Sequence, residues 1–119
     1  MVKISNPKSS VVANVKYCDT FSSKLFGLMF TKNLAEDSGV LFVANGESKI
    51  STSVHMFFMN YNLTVLWLDK NKVIVDKVLA KKWFPFYIPK KPAKYVLELY
   101  PSRFSSYEIG DELFFSLQD

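Results

Sequence analysis

The chain has 119 residues, 49% of them hydrophobic, 16% aromatic and 22% charged, with one cysteine, one histidine and a formal net charge of +4. That length suits a single domain over residues 1–119 with a sizeable core, and the composition excludes a disordered or collagen-like chain. One cysteine, Cys18, excludes an internal disulfide or a cysteine-built zinc cage, and no stretch reaches the roughly 20 uncharged residues of a membrane span.

In chain order, period-two alternation dominates and predicts strands with one buried face. Ser9 to Tyr17 is the first candidate. Asp19 and Thr20 then cap a short predicted helix through Phe21, Leu25 and Phe26, ended by Gly27. A loop from Thr31 to Asp37 leads into Val40–Val43. Asn45-Gly46 reads as a hairpin turn, because a type I′ turn needs two positive φ angles, and it predicts Lys49–Met59 as the returning partner. Asn60-Tyr61-Asn62 turns into LTVLWLD, and Asp69 to Lys72 turns into VIVDKVLA, so that three consecutive strands form a meander. After a proline-rich segment, Tyr95 to Tyr100 alternates again. Pro101 opens a helical turn carrying Phe104 and Tyr107, and Ile109-Gly110-Asp111 turns into ELFFSL. The fold class expected is mostly β (α+β): a small, partly closed β barrel of about seven strands with two short helices.

Residues 80 to 94, AKKWFPFYIPKKPAK, hold four aromatics, three prolines and five lysines with no acidic residue. Without those five lysines the chain has ten basic residues against eleven acidic ones, so the whole basic excess lies here. Prolines at 85, 89 and 92 exclude a central strand. Four large rings left fully in water would waste their burial, so Trp83 and at least one of Phe84, Phe86 and Tyr87 are expected to fold over the barrel mouth, with lysine heads outside.

Three blocks carry a resemblance: GLMF at 27–30, HMFFMNYNLTVLWLD at 55–69, and YVLEL at 95–99 with Gly110-Asp111 behind it. Together they resemble the DUF192 family, also called UPF0127, small bacterial and archaeal domains of unknown function. The resemblance implies a compact, mostly β domain, and relatives that often follow an export signal or membrane anchor. No secretory signal precedes residue 10 here. As written the chain is expected in the cytoplasm; a removed N-terminal segment would make it exported or membrane-associated. The chain departs from the family's pattern at Asn60, Asn62 and Thr64, which stand for a basic residue, a proline and an aspartate. Lys24 stands where an arginine is common, and Pro101-Ser102 replaces a small residue and glycine. If the family has chemistry that rests on that aspartate, Thr64 supplies no carboxylate for it, and this member is then expected to bind without turnover.

His55, the sole histidine, is the obvious proton carrier near neutral pH, or else a strand histidine bonded to a carbonyl. Glu98 interrupts an apolar strand, and either pairs with a cation such as Lys24 or serves a site. Met56, Phe58, Met59 and Trp67 line a pocket or simply fill the core. No phosphate cradle, serine elbow or metal-ligand set appears, so no cofactor, metal or catalytic residue is assigned. The leading expectation is a binding module for a small anionic or aromatic molecule or a protein segment, at His55, Phe58, Met59, Trp83, Glu98, Lys24, Lys81 and Lys82. The alternatives are non-specific single-stranded nucleic-acid binding through the lysines and rings of 80–94, and an enzyme using His55 and Glu98. Fourteen of fifteen basic residues are lysine, which weakens specific phosphate or base readout.

Overall fold

The computed structural model describes residues 1–18, 38–56, 59, 61–84 and 86–117. Seven strands form one sheet: β1 (Val2–Asn6), β2 (Val11–Cys18), β3 (Ser38–Ser48), β4 (Leu63–Leu68), β5 (Ile74–Ala80), β6 (Ala93–Leu99) and β7 (Phe114–Leu117), with a 3-10 helix at Pro101–Ser106. The order across the sheet is β5-β4-β6-β3-β2-β1-β7. Every pairing is antiparallel except β2 with β3, which is parallel. A parallel pair needs a crossover rather than a hairpin, and β2 and β3 are separated in sequence by residues 19–37. The predicted helix over Phe21–Phe26, its caps and Gly27 lie outside the described residues.

The sheet does not close into a barrel. Its outer strands, β5 and β7, are not paired along their length, but meet at one corner through a Val73–Glu112 bridge. There the Ile74 amide donates to the Asp111 carbonyl (2.9 Å) and the Leu113 amide to the Lys72 carbonyl (3.0 Å). Gly110 supplies the turn that makes this possible, at φ +99, where a side chain would be strained.

Both faces of the sheet are covered. On one, Val2, Ile4, Val15, Leu41, Leu66, Leu97 and Leu99 pack with Tyr107 and Leu113. On the other, Val40, Val65, Trp67 and Val96 pack with Val54, Met56, Met59 and Tyr87. β4 lies between the two, and all six of its side chains are buried, in keeping with a run, LTVLWL, in which only Thr64 is polar. Close packing of β3 on β6 depends on Gly39: a Cβ there would lie 2.2 Å from the Glu98 carbonyl oxygen.

Three sequence expectations are corrected. β1 was not among the predicted strands, yet VKISN buries Val2, Ile4 and Asn6 and exposes Lys3, pairing between β2 and β7. Asn45-Gly46 does not reverse the chain. It falls within β3, where the register against β6 shifts between Val43 and Ser48, so the dipeptide lies in an irregularity of the strand rather than in a turn. Residues 49–59 are therefore not a strand partner of 40–43, and the three-strand meander reduces to the β4–β5 hairpin. The alternation in 49–59 still has a consequence, because Thr52, Val54 and Met56 are buried even without a ladder. The Trp67 indole N–H donates to the Thr52 carbonyl (2.7 Å), which fixes this segment over β4.

The 3-10 helix begins at Pro101 as predicted. Lys77 of β5 holds its far end, donating to the Phe104 and Tyr107 carbonyls (3.3 and 2.9 Å) with its ammonium 4.1 Å from the Phe104 ring centre. Among the described residues no helix is long and apolar enough to cross a membrane.

Candidate functional site

The proline-rich segment 80–94 is a strap laid across the second core cluster and bonded to residues 54–56. Val54 and Tyr87 exchange backbone hydrogen bonds of 2.8 and 2.7 Å. The Met56 amide donates to the Phe84 carbonyl (3.0 Å), and the Trp83 amide to the Met56 carbonyl (2.9 Å). Side chains supply further anchors: the Lys81 amide donates to the Tyr87 hydroxyl (2.8 Å), the Lys82 amide to Asn62 Oδ1 (2.8 Å), and the Lys90 amide to Asp76 Oδ2 (2.9 Å). Trp83 sits at φ +66, the left-handed region that a bulky residue rarely adopts. Its amide bond to Met56 helps hold that conformation.

The rings divide between roof and surface. Tyr87 packs on the core and its ring lies 4.7 Å from that of Phe84. Pro89 is buried. Trp83 is 54% exposed, Phe84 47%, Phe86 51% and Ile88 54%. Trp83 therefore does not fold fully over the core as expected. The left-handed turn at its own position carries the chain around rather than inward, and Tyr87 does the covering. Lys81, Lys82, Lys90 and Lys91 are exposed.

The strap bonds set residues 54–56 against Trp83, Phe84 and Tyr87. His55 is half-buried between Val54 and Met56, whose side chains are in the core. Through the Met56–Trp83 bond it lies beside the strap at Trp83, next to Lys81 and Lys82. Met59 donates its amide to the Met56 carbonyl (3.2 Å), and its side chain is buried in the second cluster with Met56 and Trp67. Glu98 is half-buried on β6, in register with Val40 and Val65 of the neighbouring strands. Phe58 and Lys24 lie outside the described residues.

Tyr61 was read only as a turn residue, but it belongs to this face. It packs against the second cluster, and its hydroxyl is buried without a hydrogen-bond partner among the described residues. Burial, and secondarily the negative charge of Glu98, push its phenol above the ordinary tyrosine range, so it stays protonated. This ties Glu98 to Tyr61 in space, a proximity that residues 37 positions apart in sequence could not reveal.

Of the positions that depart from the family's pattern, Asn62, Thr64 and Pro101 have structural roles here, while Lys24 and Asn60 lie outside the described residues. Thr64 is fully buried and its hydroxyl donates to the Pro101 carbonyl (3.1 Å), so two of the departures meet. Asn62, in place of a proline, accepts the Lys82 amide and anchors the strap. Asp111 is a buried pin: it accepts from Asn6 Nδ2 and the Glu108 amide (both 2.9 Å) and faces Lys8 Nζ at 3.8 Å.

Comparison with known proteins agrees with this architecture. The DUF192 family model, described as "Uncharacterized ACR, COG1430", matches residues 2–115. A UPF0127 protein of Thermococcus sibiricus is 36% identical over 120 residues, covering 98% of this chain and 75% of that protein. Another, from Thermococcus kodakarensis, is 43% identical over 84 residues, which is 71% of this chain and 52%, about half, of that protein. Two crystal structures share the fold at TM-scores of 0.81. One is a protein of unknown function from Novosphingobium aromaticivorans, 18% identical, covering 95% of this chain and 82% of that one. The other is described as a putative transcription regulator from Sinorhizobium meliloti, 22% identical, covering 96% and 91%. With the matched blocks, the two-faced sheet and the coverage of nearly its whole length, the chain belongs to the DUF192 (UPF0127) family.

Proposed function

We propose that this domain is a non-catalytic binding module that holds a small anionic or aromatic molecule, or a protein segment, where the strap meets residues 54–56. One observation carries the reading: Trp83 leaves half its indole exposed on a backbone pinned to Met56, beside His55 and next to exposed Lys81 and Lys82. A ring held on a bonded strap loses little freedom when a ligand stacks on it, and adjacent ammonium groups favour an anion. Glu98, Phe58 and Lys24 complete the proposed set, Glu98 through its proximity to Tyr61.

The reading is tested by screening aromatic carboxylates and nucleotides for a rise in melting temperature. A ligand that stacks on the indole loses about tenfold or more in affinity with Trp83→Ala, since such stacking contributes roughly 1–3 kcal/mol. An unchanged shift in that variant would remove Trp83 from the site.

A further inference from the structure

We propose that the outer edge of the strap, Phe84, Phe86 and Ile88 flanked by lysines, docks this domain onto an anionic lipid surface. This goes beyond the small-ligand reading: it shares Trp83, Lys81 and Lys82 with that site but turns on Phe84, Phe86 and Ile88, which that site does not use.

The strap is extended where Tyr87 bridges Val54, and its side chains alternate over 86–89: Tyr87 and Pro89 face the core while Phe86 and Ile88 are each about half exposed; Phe84, also about half exposed, lies in the turn before them with its ring against that of Tyr87. Single exposed apolar residues are ordinary on a protein surface. Four large ones within six positions, counting Trp83, concentrate exposed apolar surface on this one segment. The edge is held by bonds from Val54, Met56, Asn62 and Asp76, so it does not fold inward to hide.

Charge selects the partner. Lys81 and Lys82 precede the edge, Lys90 and Lys91 follow it, all four are exposed, and residues 80–94 contain no acidic side chain. Aromatic rings inserted at the headgroup boundary, with lysine stems beside them and ammonium groups reaching lipid phosphates, are the arrangement a bilayer surface favours. A nucleic acid would fit less well: Ile88 offers no stacking face, and the cations on the strap are lysines without an arginine.

The experiment is co-sedimentation of the full chain with equimolar phosphatidylglycerol–phosphatidylcholine vesicles, alongside phosphatidylcholine vesicles and a single-stranded oligonucleotide. Fluorescence reports the contact directly. Of the two tryptophans Trp67 is buried, so a blue shift on adding vesicles comes from Trp83 entering the interface. Binding is expected for the anionic vesicles, weakening with salt. Phe86→Ser with Ile88→Ser lowers partitioning about tenfold or more. Lys90→Gln and Lys91→Gln lower it about fivefold each. The Phe86/Ile88 variant keeps its melting temperature and any ligand-induced shift that depends on Trp83, so this proposal and the ligand site fail separately. No binding to anionic vesicles, equal binding to neutral ones, or binding unchanged in the Phe86/Ile88 variant would overturn it. So would oligonucleotide binding lost in that variant while vesicles are ignored.

Discussion

Thr64 and Asn62 illustrate how single side chains set this member apart. Pro101 has a carbonyl but no N–H, so a residue facing it from β4 must donate, and the Thr64 hydroxyl does so. A carboxylate at 64 would meet a carbonyl oxygen in a site with no exposure to water. Thr64→Val, which keeps the shape and drops one bond, is expected to cost about 1 kcal/mol in urea unfolding. Thr64→Asp should cost several times more, about 3 kcal/mol or beyond, unless the carboxyl is protonated. Equal losses for the two would show that the hydroxyl's role as a donor is not what matters.

At the scale of elements, the strap is held by backbone amides and by Tyr87 packed on the core, while its other described rings stay about half exposed. Its inner anchor is the Tyr87 hydroxyl accepting the Lys81 amide across six residues, which closes the turn containing Trp83. Tyr87→Phe keeps the ring on the core and leaves that amide to water. It is expected to cost about 1 kcal/mol globally, but to speed hydrogen exchange at residues 81–84 more than in β4 or β6. Uniform acceleration across the sheet would mean that the strap and the sheet open only together. The same fraying would loosen Trp83, so ligand and vesicle binding in this variant should both weaken.

For the whole molecule, the corner where β5 meets the approach to β7 decides how stability follows pH. Burial raises the Asp111 carboxyl, but the Glu108 amide, the Asn6 amide group and the charges of Lys8 and Lys77 together outweigh it and hold the acid below its usual range. The folded state therefore binds this proton less readily than the unfolded chain. The stability so gained is present above the ordinary carboxylate value of about 3.9 and is lost as pH falls through the depressed folded value. Urea midpoints measured from about pH 5 down to about pH 2 should fall for the parent protein and fall less steeply for Asp111→Asn, which starts from a lower plateau. Parallel curves would dismiss Asp111 as the acid-sensitive pin. At the alkaline end the signs reverse, since Tyr61 and Tyr107 are both raised by burial. Their contribution holds up to about pH 10 and disappears as pH rises through the higher folded values.

Local pattern was enough for β4, β5 and β6, for the turn at Gly110 and for the proline-started helical turn, because period-two burial and φ preferences act between neighbours in sequence. The family resemblance was likewise legible in three short blocks. β1 was hidden because five residues at a chain end carry too little alternation to stand out, and only pairing on both sides makes them a strand. Asn45-Gly46 misled because a turn-prone dipeptide can reverse a chain or sit in an irregular stretch of strand, and the partner strand chooses between them. The lysines and rings of 80–94 announced a basic aromatic surface, but not which rings would face water. That was settled by Val54 and Met56, some thirty residues away in sequence, whose backbone groups decide which side of the strap turns toward the core.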